Sequence, residues 1–223
     1  MFIAIATIAI SSPGAFAALY TVNSGTGSTA SGIVDLSGNA FRGGSLSGDV
    51  FTGTAGGTSA GPGVVAFGIF STDSLSGLTA SNLVSSFTGF GGAVAFNTAG
   101  TTGNRSVYTN PQGATVTGSP FAGKNVYLFA GNGTTLSNST QFVVAKSAFL
   151  FNAADDSLST PTVYTIRPDN SSILFGTPIA NVLTASTDAS VTPGWQMASP
   201  IPEPSAALLG ALGALGLLRR RRN

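Results

Sequence analysis

Apolar residues in this chain come in short runs, cut every few positions by clusters of Gly, Ser, Thr and Asn, and that punctuation suits strands and turns far better than helices. Glycine alone fills 30 of the 223 positions, and Ser and Thr nearly match it. Runs rich in β-branched and aromatic residues predict strands at Leu19–Val22, Gly32–Leu36, Val64–Phe70, Gly92–Phe96, Ser106–Thr109, Ala114–Val116, Val126–Ala130, Gln141–Val144, Ala148–Phe151, Val163–Ile166 and Ser172–Phe175. Val64–Phe70 and Val126–Ala130 are apolar on both faces, so they read as central strands covered on each side. Two helices are expected. One runs from Thr79 to Phe87, with Thr79 as cap and Leu83, Val84 and Phe87 on one face; a weaker one lies around Ala180 to Ala185. The fold class expected is all-β: a single, mainly antiparallel β-sandwich-like domain with Gly/Ser/Thr-rich loops, ending near Trp195.

Gly25 to Gly63 is the least committed stretch, readable as edge strands with long loops or as partly disordered. Leu36-Ser-Gly, Leu46-Ser-Gly and Leu75-Ser-Gly recur without a fixed period, so no solenoid is inferred. The 15 Phe residues supply enough apolar volume for one core without disulfides, provided most point inward.

The chain has neither Cys nor His. That removes disulfides, thiolate and imidazole metal sites, Cys nucleophiles and any Ser/His/Asp relay. Charged residues make up only 8%, against about 25% in a typical soluble domain. Four of the nine basic residues are Arg219 to Arg222. Between Ala18 and Pro200, Arg42, Arg105, Lys124, Lys146 and Arg167 face Asp35, Asp49, Asp73, Asp155, Asp156, Asp169 and Asp188. The body is therefore slightly acidic, and with no basic patch to neutralise phosphates it is not expected to bind nucleic acid.

The N-terminus runs through an apolar stretch, Met1 to Ile10, then Ser11-Ser-Pro-Gly14 and Ala15-Phe16-Ala17. This is the h-region, breaker and small-x-small cleavage site of a secretory signal peptide, with Ala15 and Ala17 fitting the shallow peptidase pockets and cleavage expected after Ala17. Signal peptidase and the Sec translocon are the partners this implies. No Lys or Arg precedes the h-region; a start further upstream would supply one. The competing reading is a buried core strand of the body.

At the other end, Ile201-Pro202-Glu203-Pro204-Ser205 leads into the apolar run Ala206 to Leu218, then Arg219 to Arg222 and Asn223. A helix over this run reaches about 20 Å, short of the roughly 30 Å hydrocarbon core, so it spans only with snorkelling arginines and local thinning. As a soluble core helix it would have no polar face, and Gly210, Gly213 and Gly216 would each weaken it by about 1 kcal/mol. Carrying four arginines through the bilayer costs on the order of 10 kcal/mol, whereas an anionic cytoplasmic leaflet holds each favourably. Arg219, Arg220, Arg221 and Arg222 are thus the membrane stop, with the C-terminus in the cytoplasm. The expected division is 1–17 signal peptide, 18–198 exported β domain, 199–205 linker, 206–218 transmembrane helix and 219–223 cytoplasmic tail.

The order Pro-Glu-Pro, short Leu/Ala/Gly-rich helix and terminal Arg cluster resembles the PEP-CTERM sorting domain of Gram-negative bacteria, with Pro202, Glu203 and Pro204 matching the signature triplet. The resemblance covers residues 201–223. It implies processing by an exosortase, an inner-membrane transpeptidase whose own cysteine does the chemistry, in bacteria that also make extracellular polysaccharide. The chain would be anchored transiently in the inner membrane and then delivered to the cell surface or extracellular matrix. Two φ-locked prolines around one residue also hold the segment extended, as a protease cleft requires. From Gly123 onward the order of strands loosely resembles other proteins of this kind and names no activity.

In the body, a carboxylate hydrolase needs two facing acids in one cleft. The only adjacent pair, Asp155-Asp156, reads as a solvated turn, less readily as part of a Ca²⁺ site, least as catalytic groups. Lys146-Ser147 reads as a charged turn between strands more readily than as a Ser/Lys dyad. Asn104, Asn132, Asn138 and Asn170 match a glycosylation triplet through composition alone. Trp195 either stacks on a sugar or, the favoured reading, closes the end of the core. No catalytic residue, metal or cofactor is assigned. The expected function is a non-enzymatic exported surface or matrix protein. A carbohydrate-binding module for the cell's own exopolysaccharide is the alternative, and a hydrolase comes last.

Overall fold

The computed structural model describes residues 17–24, 31–43, 47–48, 50–51, 57–96, 108–158, 160–183 and 191–200. In chain order its strands are β1 (Ala18–Asn23), β2 (Ile33–Val34), β3 (Val50–Phe51), β4 (Gly57–Thr58), β5 (Val64–Phe70), β6 (Phe87–Gly89), β7 (Val94–Ala95), β8 (Thr109–Ala114), β9 (Asn125–Gly131), β10 (Phe142–Leu150), β11 (Thr162–Thr165), β12 (Ser171–Phe175), β13 (Thr177–Leu183) and β14 (Val191–Gln196). One α-helix, α1 (Ala80–Ser85), and 3-10 turns at Leu136–Asn138 and Ala153–Ser157 complete the described elements. The mostly-β expectation holds.

The two strands read as apolar on both faces lie side by side in the largest sheet. Its order is β12-β10-β9-β5-β6, antiparallel throughout, with β7 also on β5. Side chains alternate across it. Val65, Phe67, Val126, Leu128, Ala130, Val143 and Ala145 enter one cluster, joined by Ala18, Tyr20 and Val22 of β1 and by Ile33, Trp195 and Met197. Phe70, Tyr127, Phe129, Phe142 and Val144 enter a second on the opposite face, against Leu83 of α1 and Leu75. The covering layer over the first cluster includes a sheet ordered β11-β1-β8, and β13-β14-β2 forms another. Thr79 caps α1, its side chain accepting from the Asn82 amide at 3.2 Å.

Several details depart from the expected layout. Two of the smaller sheets are mixed, because β1 pairs parallel with β11 and β14 parallel with β2. The predicted strands Gln141–Val144 and Ala148–Phe151 are one strand, β10, which continues through Lys146-Ser147 with a register shift against each neighbouring strand. Lys146 emerges beside Asp73 and Ser147 donates to the Val126 carbonyl at 2.8 Å, so both polar side chains are satisfied inside the ladder. Likewise Thr109 and Ala114, read as the end of one strand and the start of the next, bound a single strand, β8, which crosses the turn-like Asn-Pro-Gln-Gly; Ser106 and Val107 of the expected strand Ser106–Thr109 lie outside the described residues. Pro111 is tolerated because β8 is an edge strand. The helix expected at Ala180 to Ala185 is overturned as far as Leu183 by β13, and α1 stops before Phe87, which opens β6. Of Gly25 to Gly63, the described parts include β2, β3, β4 and the buried Phe41, stacked on Phe96 with ring centroids 4.8 Å apart. Gly63 sits between those rings at φ +55°, where a Cβ would lie 2.7 Å from each.

Candidate functional site

Asp73, Tyr127 and Lys146 meet at the rim of the second cluster. Lys146 Nζ is 2.6 Å from Asp73 Oδ2 and 5.7 Å from the centre of the Tyr127 ring, while the Tyr127 hydroxyl donates to Asp73 Oδ1. The Lys146 and Tyr127 partners hold the Asp73 carboxyl below its usual range, and Asp73 in turn raises Lys146. Burial, then Asp73, raises Tyr127. Lys146 and Tyr127 are thereby held protonated, the form that cannot act as nucleophile or base, while Asp73 is held as a carboxylate of reduced basicity. The trio lines a groove of about 630 Å³ with Ser71, Thr72 and Lys124. Lys146 and Ser147 project to opposite faces of β10, so no Ser/Lys dyad forms between them.

Asp155 and Asp156 sit in the 3-10 turn Ala153–Ser157, and their side chains part as expected of neighbours. The turn is exposed at Asn152, Ala153, Ala154 and Ser157, as expected, but its two carboxylates are engaged by the body. Asp155 accepts from the Tyr20 hydroxyl at 2.7 Å, and Asp156 is buried, accepting from the amides of Val116 at 2.8 Å and Thr117 at 2.7 Å. Burial pushes the Asp156 carboxyl up, but hydrogen bonds from Thr117, Val116 and Ala18 outweigh it and leave it below its ordinary value. A carboxyl lowered in the folded state stabilises above its unfolded pKa and loses that contribution as pH falls through the folded pKa. Asp156→Asn should therefore cost about 2–3 kcal/mol at neutral pH. The wild type should lose that advantage below about pH 4, a convergence that urea unfolding across pH 3 to 7 would reveal.

Asp35 accepts from the amides of Ser37 and Asn39, and Asp169 lies 3.5 Å from Arg167 Nε. Among the described residues no cluster of three or more acids could hold a metal ion. Asp49 and Asp188 lie outside those residues. Trp195 is 1% exposed and packs in the first cluster, so the sugar-stacking reading of this residue is overturned. The side-chain amides of Asn132, Asn138 and Asn170 are spent on turn and cap bonds, while Asn104 is outside the described residues.

A second groove of about 700 Å³ lies along the end of β10 and is lined by Phe149, Leu150, Asn152, Asp155, Thr162 and Tyr164. Phe149 and Tyr164 stack there, centroids 4.6 Å apart, and the Tyr164 hydroxyl donates to the Leu150 carbonyl at 2.9 Å. Burial, then the Asp155 charge, pushes the Tyr164 hydroxyl up to about 12. No ring whose burial is described is more than partly exposed.

The last tied position before the C-terminal segment is Ala198, which exchanges two backbone bonds of 2.9 Å with Phe142 at the start of β10. Two residues later, residues 200–222 match the family model of the PEP-CTERM protein-sorting motif. The chain carries a PEP-CTERM sorting domain. That motif implies an exported protein, processed by an exosortase and sorted in association with the membrane toward the cell surface. No curated protein and no solved structure gave a match. Pro202, Glu203, Pro204 and Arg219 to Arg222 lie outside the described residues, as does Ala15; Ala17 is exposed, immediately before β1. The predicted transmembrane helix lies there too. No helix among the described residues is long and apolar enough to cross a membrane. Asp156 is the residue that sequence reasoning missed, since nothing in Asn152-Ala-Ala-Asp-Asp-Ser157 marks one carboxylate as buried.

Proposed function

We propose that the body, residues 18–198, is a non-enzymatic surface or matrix component, delivered by a leader at 1–17 and a C-terminal signal. The linker 199–205 presents Pro202-Glu203-Pro204 to the exosortase outside the membrane, the helix 206–218 is held as a temporary anchor, and Arg219 to Arg222 keep the tail in the cytoplasm. The observation that carries this reading is the sorting motif following directly on the bridge at Ala198. The engagement of each described Asp by its own separate donor or cation supports a structural body over a hydrolase.

A carbohydrate-binding role is the second reading, favoured by the stacked and partly exposed Phe149–Tyr164 pair in its groove. Affinity electrophoresis of the exported chain in gels containing the producing cell's exopolysaccharide separates the two. A purely structural body should migrate as it does in plain gels. Retardation that is abolished by a Phe149→Ala, Tyr164→Ala double variant would establish the binding role instead.

A further inference from the structure

β1 and β8 run antiparallel in a register that sets Ala18 opposite Ala114, Leu19 opposite Gly113 and Tyr20 opposite Gln112. Continued upstream, the same register would set Phe16 opposite Val116. The structure closes the ladder there with a side chain: the amides of Val116 and Thr117 are both taken by the Asp156 carboxylate. The Ala18 amide lies near enough to that carboxylate to help hold it below its ordinary value. Ala18 and Asp156 are both buried, whereas Ala17 is exposed. The neighbouring Asp155 is held by the Tyr20 hydroxyl, which in turn accepts from the Asn152 amide at 3.0 Å, so the whole 3-10 turn is fixed against β1. The fold thus terminates β1 at Ala18 and sets a carboxylate against its nitrogen.

We propose that removal of the leader after Ala17 turns the Ala18 amide into an α-ammonium that forms a buried ion pair with Asp156, so that cleavage itself completes the fold. The inference rests on reading residues 1–17 as a leader. Hydrolysis of the Ala17–Ala18 bond consumes one water, leaves a carboxylate on Ala17 and an amine on Ala18, and that amine takes up a proton at neutral pH. Before cleavage the nitrogen offers Asp156 a neutral donor. Afterwards it offers a charged one at the same place, and hydrogen bonds between charged partners are the stronger class. An amine so paired has its pKa raised, so the gain is complete at neutral pH and fades as pH climbs past the raised value. Among the described residues, Asp155, the Tyr20 hydroxyl and Tyr164, which stacks on Tyr20, are the other titratable groups facing this end of β1.

The test uses the full chain purified from exporting cells, with a processing-blocked Ala17→Leu precursor beside it. N-terminal sequencing should find Ala18 first. Cyanate, which carbamylates only the unprotonated amine, should label Ala18 at least about tenfold more slowly than it labels the amine of an Asp156→Asn chain, since each unit of raised pKa removes tenfold of the free base. Cleavage should raise the melting temperature of the wild type and leave that of Asp156→Asn unchanged. A second variant covers the case in which Asp156→Asn does not fold: a Gly inserted between Ala17 and Ala18 moves the ammonium outward with Asp156 intact, and it should label fast and melt like the precursor. A first residue other than Ala18 would overturn both the leader boundary and the ion pair. Ala18 first, but labelled equally fast in all chains, would overturn the ion pair alone.

Discussion

Glu203→Gln should accumulate as a membrane-bound precursor that retains the Arg tail in cells containing the exosortase. Glu203 is the only Glu in the chain. A carboxylate between two φ-locked residues is a rigid, singly charged epitope, whereas a hinge would be better served by Gly or Ser. The change to Gln keeps shape and extension and removes only charge. In a host without the exosortase, wild type and variant should both stay anchored and be indistinguishable by fractionation and blotting. Normal processing of Glu203→Gln, together with failure of a Pro202→Ala, Pro204→Ala double variant, would show that backbone shape is read and charge is not. Replacing Arg219 to Arg222 by Ser acts on the other half of the signal. Without the four cations the short helix should slip through, and unprocessed full-length chain should appear in the periplasm or medium.

The largest effect on stability is expected from Phe151→Ala. Phe151 is fully buried and its ring meets Tyr20, Phe67, Phe90 and Phe121, the nearest centroid, that of Phe90, at 4.9 Å. Those four rings belong to different segments, so truncation opens a void that no single element can collapse to fill. The cost should be about 3–5 kcal/mol, or a fall in melting temperature of roughly 6–20 °C for a body of this size. Phe175→Ala, at a partly exposed position in β12, provides the comparison and should cost well under half as much. Equal losses would mean that the Phe151 cluster is not the centre of the core. Reductant should not alter any of these melts, because there is no Cys to reduce.

The sequence carried the sheet's centre because Val64–Phe70 and Val126–Ala130 are apolar whichever way they face, rich in β-branched and aromatic residues, and too short for a buried helix. Thr79 at the start of α1 was legible for a similar reason, since one hydroxyl at one position satisfies a local geometry. What could not be read were features settled by partners distant in sequence. Lys146-Ser147 is a turn by composition and a strand only because Asp73 and Val126 wait for its two side chains. Thr177–Leu183 is a strand only because β14 pairs with it. The sorting signal was legible through its three parts in order, which need no tertiary context at all. Asp156 lies at the opposite extreme: its place in the fold depends on Val116, Thr117 and Ala18, none of which is near it in the chain.

The bridge between Ala198 and Phe142 acquires a different meaning once the protein is held at its C-terminal end. Tension on that end enters the body at Ala198, and the bonds to Phe142 are the first it meets. Phe142 opens β10, which lies between β9 and β12 in the largest sheet, so those two bonds tie the C-terminal end to a strand held on both sides. Behind it comes β14, held between β13 and β2. The two bonds at Ala198 and then β14 take up such a pull first, so the largest sheet is shielded until both have given way.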